Sequence, residues 1–176
     1  TKYEYCPQGD QRCGYLKKII RDFGRLNATV EYDYNAVGNL TGFTDANGNR
    51  YTYLVNALNQ LTKIIFPQPF NYERCFYYGS NNDLKRIEIQ NVDENGNIDS
   101  TNLWFSTVYD YNSLNQVKAV TEEVSELGNV TTQYIRDHQG NTVQIIEPEN
   151  NVRKTVYNEL NLVQTEILGY GTSEQL

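Results

Sequence analysis

A short pattern recurs six times along this chain: roughly Tyr-x-Tyr, then Asn or Asp, then a turn closing on Leu or Val, most clearly YDYNAVGNL from Tyr32 to Leu40. The turn-opening residues are Asn35, Asn56, Gly79, Asn112, Asp137 and Asn158, at intervals of 21, 23, 33, 25 and 21 residues. A period of this length marks a repeated supersecondary unit whose copies bury their apolar sides on one another, and it constrains the fold before any single residue does.

Within one copy the local chemistry is that of a strand and a tight turn. In Val30-Glu31-Tyr32-Asp33-Tyr34 the apolar residues alternate with acids, so Val30, Tyr32 and Tyr34 share one face of a half-buried strand. Asn35 opens the turn, and Gly38 stands where a positive φ is required. A second turn, Asp45 to Asn49 with Gly48 near its end, reverses the chain again through Tyr53. Two forms of the first turn alternate. Gly38-Asn39 and Gly140-Asn141 carry glycine, whereas Leu58-Asn59, Leu114-Asn115 and Leu160-Asn161 place Asn in the strained position, which Asn tolerates better than most residues.

Just past the turn, Leu40 and Phe43, Leu61 and Ile64, Leu84 and Ile87, Val117 and Val120, and Val143 and Ile146 lie three apart. A regular strand would put such pairs on opposite faces. Either the first residue belongs to the turn, or a bulge returns the second to the same face, and both choices bend the ribbon. The expected architecture is all-β, a curved ribbon of antiparallel hairpins. Its parts are a turn-rich segment over 1–14, six to seven repeat units over 15–168 with an insertion near 92–105, and a frayed end over 169–176. Tyr109, Tyr111 and Tyr157 occupy the same ladder positions as Tyr32 and Tyr34. The chain has no Met and opens on Thr1, which leads us to expect a piece of a longer polypeptide.

Composition excludes several functions. Asp plus Glu number 22 against 15 Lys plus Arg, a formal charge of -7, which argues against nucleic acid as partner. Three cysteines, Cys6, Cys13 and Cys75, and one histidine are too few for a structural zinc site. Cys6 and Cys13 flank a turn that could close as a disulfide, and Cys75 reads as a small buried hydrophobe. Asp45-x-Asn47-Gly48 and Asp93-x-Asn95-Gly96 begin like calcium loops, but the glycine comes too early and no closing Glu follows. His138 lies inside a repeat turn, so no base serves a Ser or Cys nucleophile, and Glu122 and Glu123 alternate across a strand. No catalytic, cofactor-binding or metal-ligating residues are expected, nor any membrane span. Trp104, on the inserted segment and off the repeat, is the best single candidate for a partner contact.

The run Tyr34 to Leu40, then Asp45 to Asn49, then Asn56 to Leu61 closely resembles the RHS or YD repeats, and the resemblance covers nearly everything from Tyr15 to Leu168. In that family of bacterial polymorphic toxins, toxin-complex C components, wall-associated proteins and teneurins, such repeats form a ribbon that spirals into a hollow shell. The resemblance implies a secreted or cell-surface protein and a non-catalytic shell wall. Its partners would be further repeats of the parent chain and an enclosed C-terminal toxin or effector; the alternative is an adhesion module for a glycan or receptor.

Overall fold

The computed structural model describes residues 1–124 and 128–171. Its strands are β1 (Lys2–Tyr5), β2 (Leu16–Arg21), β3 (Ala28–Tyr34), β4 (Leu40–Thr44), β5 (Arg50–Val55), β6 (Leu61–Ile65) and β7 (Glu73–Tyr78). These are followed by β8 (Leu84–Gln90), β9 (Trp104–Tyr111), β10 (Val117–Val124), β11 (Gly128–Arg136), β12 (Thr142–Ile146), β13 (Val152–Tyr157) and β14 (Val163–Leu168). Within β1–β7 and within β9–β14 neighbouring strands follow chain order, and their pairings are antiparallel. The only helical turn among the described residues is a single 3-10 turn at Pro148–Asn150.

Two compact units divide the chain. One comprises Thr1–Tyr77 and Glu88–Trp104, the other Tyr78–Ile87 and the residues from Phe105 onwards. In the first unit the hairpin ladder runs from β1 through β7, and in the second from β9 through β14. Among the described residues no side chain is fully buried, and only Cys6, Gly42 and Cys75 are buried. Each unit is thus a sheet whose two faces stay half-open, stabilised by cross-strand pairs instead of a second layer.

The three-residue spacing is resolved in favour of the bulge. Tyr34 pairs with Leu40 and Asp33 with Gly42, leaving Thr41 unopposed. The same slip leaves Thr62, Lys118, Val143 and Gln164 unopposed in the later hairpins, and Lys17 in the first. Because one extra residue restores the face, Leu40 and Phe43 come to lie on one side, and the strand twists more strongly there. Val143 and Ile146 were read one residue out of frame: Val143 is the bulge itself, and Thr142, opposite Arg136, is the counterpart of Leu40.

The N-terminal boundary also moves. Lys2–Tyr5 is a strand paired to β2 with the repeat's own bulge, so the ladder starts inside the segment read as turn. At the other end the Tyr170 N–H donates to the Val152 carbonyl at 2.9 Å, which ties the start of the expected frayed segment to β13; 172–176 lie outside the described residues. Around 92–105 the inserted turn Asp93 to Asn97 forms as expected, closed by a Val92–Ile98 bridge.

Candidate functional site

Eight turns share one backbone geometry. At Asn35, Asp45, Asn56, Gly79, Asp93, Asn112, Asp137 and Asn158 the opening N–H donates to the carbonyl four residues on, and the opening carbonyl accepts from the N–H three residues on, at 2.8–3.1 Å. The residue three after the opening has positive φ in every case: Gly38 (92°), Gly48 (85°), Asn59 (63°), Asn82 (63°), Gly96 (83°), Asn115 (62°), Gly140 (91°) and Asn161 (58°). This is a type I turn followed by a left-handed residue, the three-residue hairpin loop. The two forms seen in the sequence are therefore one conformation with different residues at its strained position.

The opening side chain locks that turn. Its Oδ1 accepts from the N–H groups two and four residues on in Asn35, Asp45, Asn56, Asp93, Asn112, Asp137 and Asn158, at 2.8–3.1 Å. Asp45 and Asp93 also accept the Asn49 and Asn97 amides, and those donors hold both carboxyls below the usual range. Desolvation pushes the Asp137 carboxyl upward, but the Asn141 amide and backbone donors outweigh it and the net shift is down. Gly79 lacks the cap for a steric reason: a Cβ there would sit 2.6 Å from the Asp83 carboxylate, which fills the space and pairs with Lys85.

Two further contacts stitch neighbouring copies. The Tyr34 hydroxyl donates to the Leu16 carbonyl at 3.0 Å, Tyr111 to Leu84 at 2.8 Å and Tyr157 to Thr142 at 3.2 Å. The β2–β3 backbone ladder begins only at Lys18–Glu31 and the β12–β13 ladder at Gln144–Lys154, so the phenol reaches a carbonyl beyond the last backbone pair. Where the repeat has Arg136 in place of Tyr, its guanidinium donates to the equivalent Val117 carbonyl at 3.3 Å. The second stitch is an amide bridge: Asn39 donates to Asn59 at 2.7 Å, and Asn141 to Asn161 at 3.0 Å. The bridge joins a glycine turn to the Asn turn that follows it: the glycine turn supplies an Asn one position later that reaches the left-handed Asn of the next copy.

On the Tyr face of the first unit the rings form a ladder: Tyr32–Phe43, Phe43–Tyr51, Tyr51–Phe66 and Phe66–Tyr72, with centroids 5.6, 5.8, 5.8 and 4.1 Å apart. Tyr34 stands off it and pairs with Tyr15 at 5.2 Å. Tyr53 lies opposite Ile64, Leu61 opposite Val55 and Tyr109 opposite Val120. Burial raises the pKa of Tyr34, Tyr53 and Tyr111. The opposite face carries ion pairs: Lys18–Glu31 and Lys63–Glu73 at 2.7 Å, and Arg50–Asp33 at 2.8 Å. The last crosses directly over Gly42, where a Cβ would lie 2.7 Å from the Arg50 guanidinium and 2.8 Å from Asp33. Sequence reasoning missed Gly42, whose signal was a lone glycine inside a strand pattern. It also missed Asn82 and Arg136, which sit in copies whose spelling has drifted.

Trp104 begins β9 and is half-buried. Cys75 is 8% exposed and burial raises its thiol pKa; Cys6 and Cys13 are free thiols, so the disulfide left open by the sequence is not formed. Asp10 is held at about 2 by the Arg12 guanidinium, which it binds through both oxygens. His138 is exposed on its turn, and Glu123 accepts from the Ser106 hydroxyl at 2.9 Å. Among the described residues no cluster of His, Cys, Asp and Glu could hold a metal ion, and no helix is long and apolar enough to cross a membrane.

Residues 34–68 match the family model for the RHS Repeat. No curated protein matches the chain. Among solved structures, a crystal structure of TcdB2-TccC3 is 14% identical, with 95% of this chain and 11% of that chain covered at a TM-score of 0.43. The Photorhabdus luminescens Tc holotoxin pore is also 14% identical, with the same coverages and a TM-score of 0.40. The chain thus spans little more than a tenth of those chains' length, and superpositions at this level do not carry the assignment. The matched segment, residues 34–68, is an RHS repeat, and the same capped turn recurs before and after it.

Proposed function

We propose that this chain is a non-catalytic segment of the wall of an RHS-repeat shell, in a secreted protein, and that the wall encloses a toxin or effector polypeptide. The observation that carries this reading is a ladder of closely similar hairpins in which, among the described residues, no side chain is fully buried. Such a sheet separates two sides and has little interior of its own in which to build a reaction centre. Non-catalysis is supported by how the polar groups are used: the turn carboxylates are occupied by their own turns, and the Cys75 thiol is disfavoured as a thiolate by burial. The contacts that would seal a wall are the phenol and amide stitches between copies.

The test is protease protection of the full parent polypeptide. A segment enclosed by the wall should survive trypsin while the wall is intact, and be digested once Tyr34, Tyr111 and Tyr157 are replaced together by Phe. Equal digestion with and without the stitches would overturn the enclosure reading.

A further inference from the structure

On the aromatic face of the first unit, Arg74 is a half-buried cation with no counter-charge among the described residues. Arg74 on β7 lies in register with Ile64, which in turn lies opposite Tyr53, so the three share a row on the Tyr face. The adjoining row is the Tyr51–Phe66–Tyr72 part of the ring ladder, whose last two rings stack at 4.1 Å with planes 10° apart. The Arg74 guanidinium stands 5.7 Å from the Phe66 ring centre. Its Nε is buried without a hydrogen-bond partner, and Arg74 has no ion pair among the described residues. The nearest acid in sequence, Glu73, points to the other face, where Lys63 takes it at 2.7 Å.

A half-buried guanidinium loses hydration and gains nothing from a ring that a carboxylate would not add to. Its planar fork is suited to two parallel hydrogen bonds from one carboxylate, and stacking on Phe66 leaves the edge of the fork available. The other half-buried cations of this unit, Arg12, Lys18 and Lys63, have their carboxylates, whereas Lys17, Arg21 and Arg25 are exposed to water. From this mismatch we infer that Arg74, with Phe66, Tyr72 and Ile64, is a docking site for an acidic polypeptide segment, in which an Asp or Glu flanked by apolar side chains sets its carboxylate on the guanidinium and its neighbours on the rings. Charge complementarity selects the acid, and the apolar surroundings select a peptide over a free anion. The inference does not depend on whether the wall is closed.

The test uses this chain and two probes, acetyl-Phe-Glu-Phe-amide and acetyl-Phe-Gln-Phe-amide, followed by calorimetry and by the NMR signal of the Arg74 Nε–H. The Glu peptide should move that signal and bind about tenfold more tightly than the Gln peptide, as one charge-assisted hydrogen bond allows. Arg74→Lys, which keeps the charge without the fork, should weaken the Glu peptide alone, and Arg74→Met should make the two probes equal. The melting midpoint of Arg74→Met should stay level or rise, since an uncompensated cation is removed. Equal binding of both probes to the unmodified chain, an unmoved Nε–H signal or a lowered midpoint in Arg74→Met would each overturn the site. Self-association abolished by Arg74→Met would overturn the assigned occupant in favour of an acid from a second copy.

Discussion

Gly38 and Gly48 occupy the same position of the same turn, with φ of 92° and 85°, yet their surroundings differ. A Cβ on Gly48 would meet nothing within 4 Å, whereas one on Gly38 would fall 2.5 Å from the Tyr15 hydroxyl. Replacing either by Ala puts a Cβ into the left-handed region, at about 1–2 kcal/mol. Any gain from a stiffer unfolded chain is the same for both and cancels in their difference. Gly38→Ala must in addition displace the Tyr15 ring, whose centre is 5.2 Å from that of Tyr34, and an aromatic pair of this kind is worth about 0.5–1.5 kcal/mol. For a chain of this length each kcal/mol moves the melting midpoint by about 2–4 °C. Gly48→Ala should therefore lower it by about 2–8 °C, and Gly38→Ala by about 1–6 °C more. Circular dichroism melts of the two variants, with Gly48→Asn as a third that keeps a tolerated left-handed residue, would measure this. Equal losses at Gly38 and Gly48 would refute the claim that Tyr15 packs against the turn.

Tyr111→Phe and Tyr157→Phe each remove one stitch and should cost about 0.5–1.5 kcal/mol in urea unfolding, while Tyr32→Phe, whose ring but not hydroxyl takes part in the ladder, should change stability by less than about 0.5 kcal/mol. Asn59→Gly keeps the left-handed turn but loses the bridge from Asn39, so amide exchange should quicken at the two turns it joins and stay unchanged at 112–116. The carboxyls of Asp45, Asp93 and Asp137 are depressed in the folded chain, so their contribution is present above the unfolded value near 3.8 and is lost as pH falls through the folded values. Acid unfolding followed by circular dichroism should therefore begin below about pH 4 and shift to lower pH when all three are replaced by Asn, which caps the same turn uncharged at Asn35 and Asn56.

The turns were legible because each needs a residue type that few others replace: an opening Asx to accept two N–H groups, and a Gly or Asn to take positive φ. Tyr34, Tyr111 and Tyr157 were legible as positions but not as stitches, since the carbonyl each meets belongs to the previous strand and is defined only by register. The spacing of Leu40 and Phe43 announced a bend without choosing between turn and bulge, and in the Asp137 copy it was read one residue off because Thr142 takes the place of a Leu. The ladder's continuation through Phe66 and Tyr72 was hidden because both lie outside the repeated motif. Arg74 carried no signal at all: its isolation is a property of a face, and only the registers of β5, β6 and β7 reveal it.

Whether these hairpins serve as wall or as binding site is decided by electron cryo-microscopy of the full parent polypeptide. A wall segment should show an unbroken sheet through these strands, with the Tyr32–Tyr72 ring ladder turned toward enclosed polypeptide density. A closed domain with its own packed core, or a ring ladder facing open solvent or an external receptor, would contradict the wall reading.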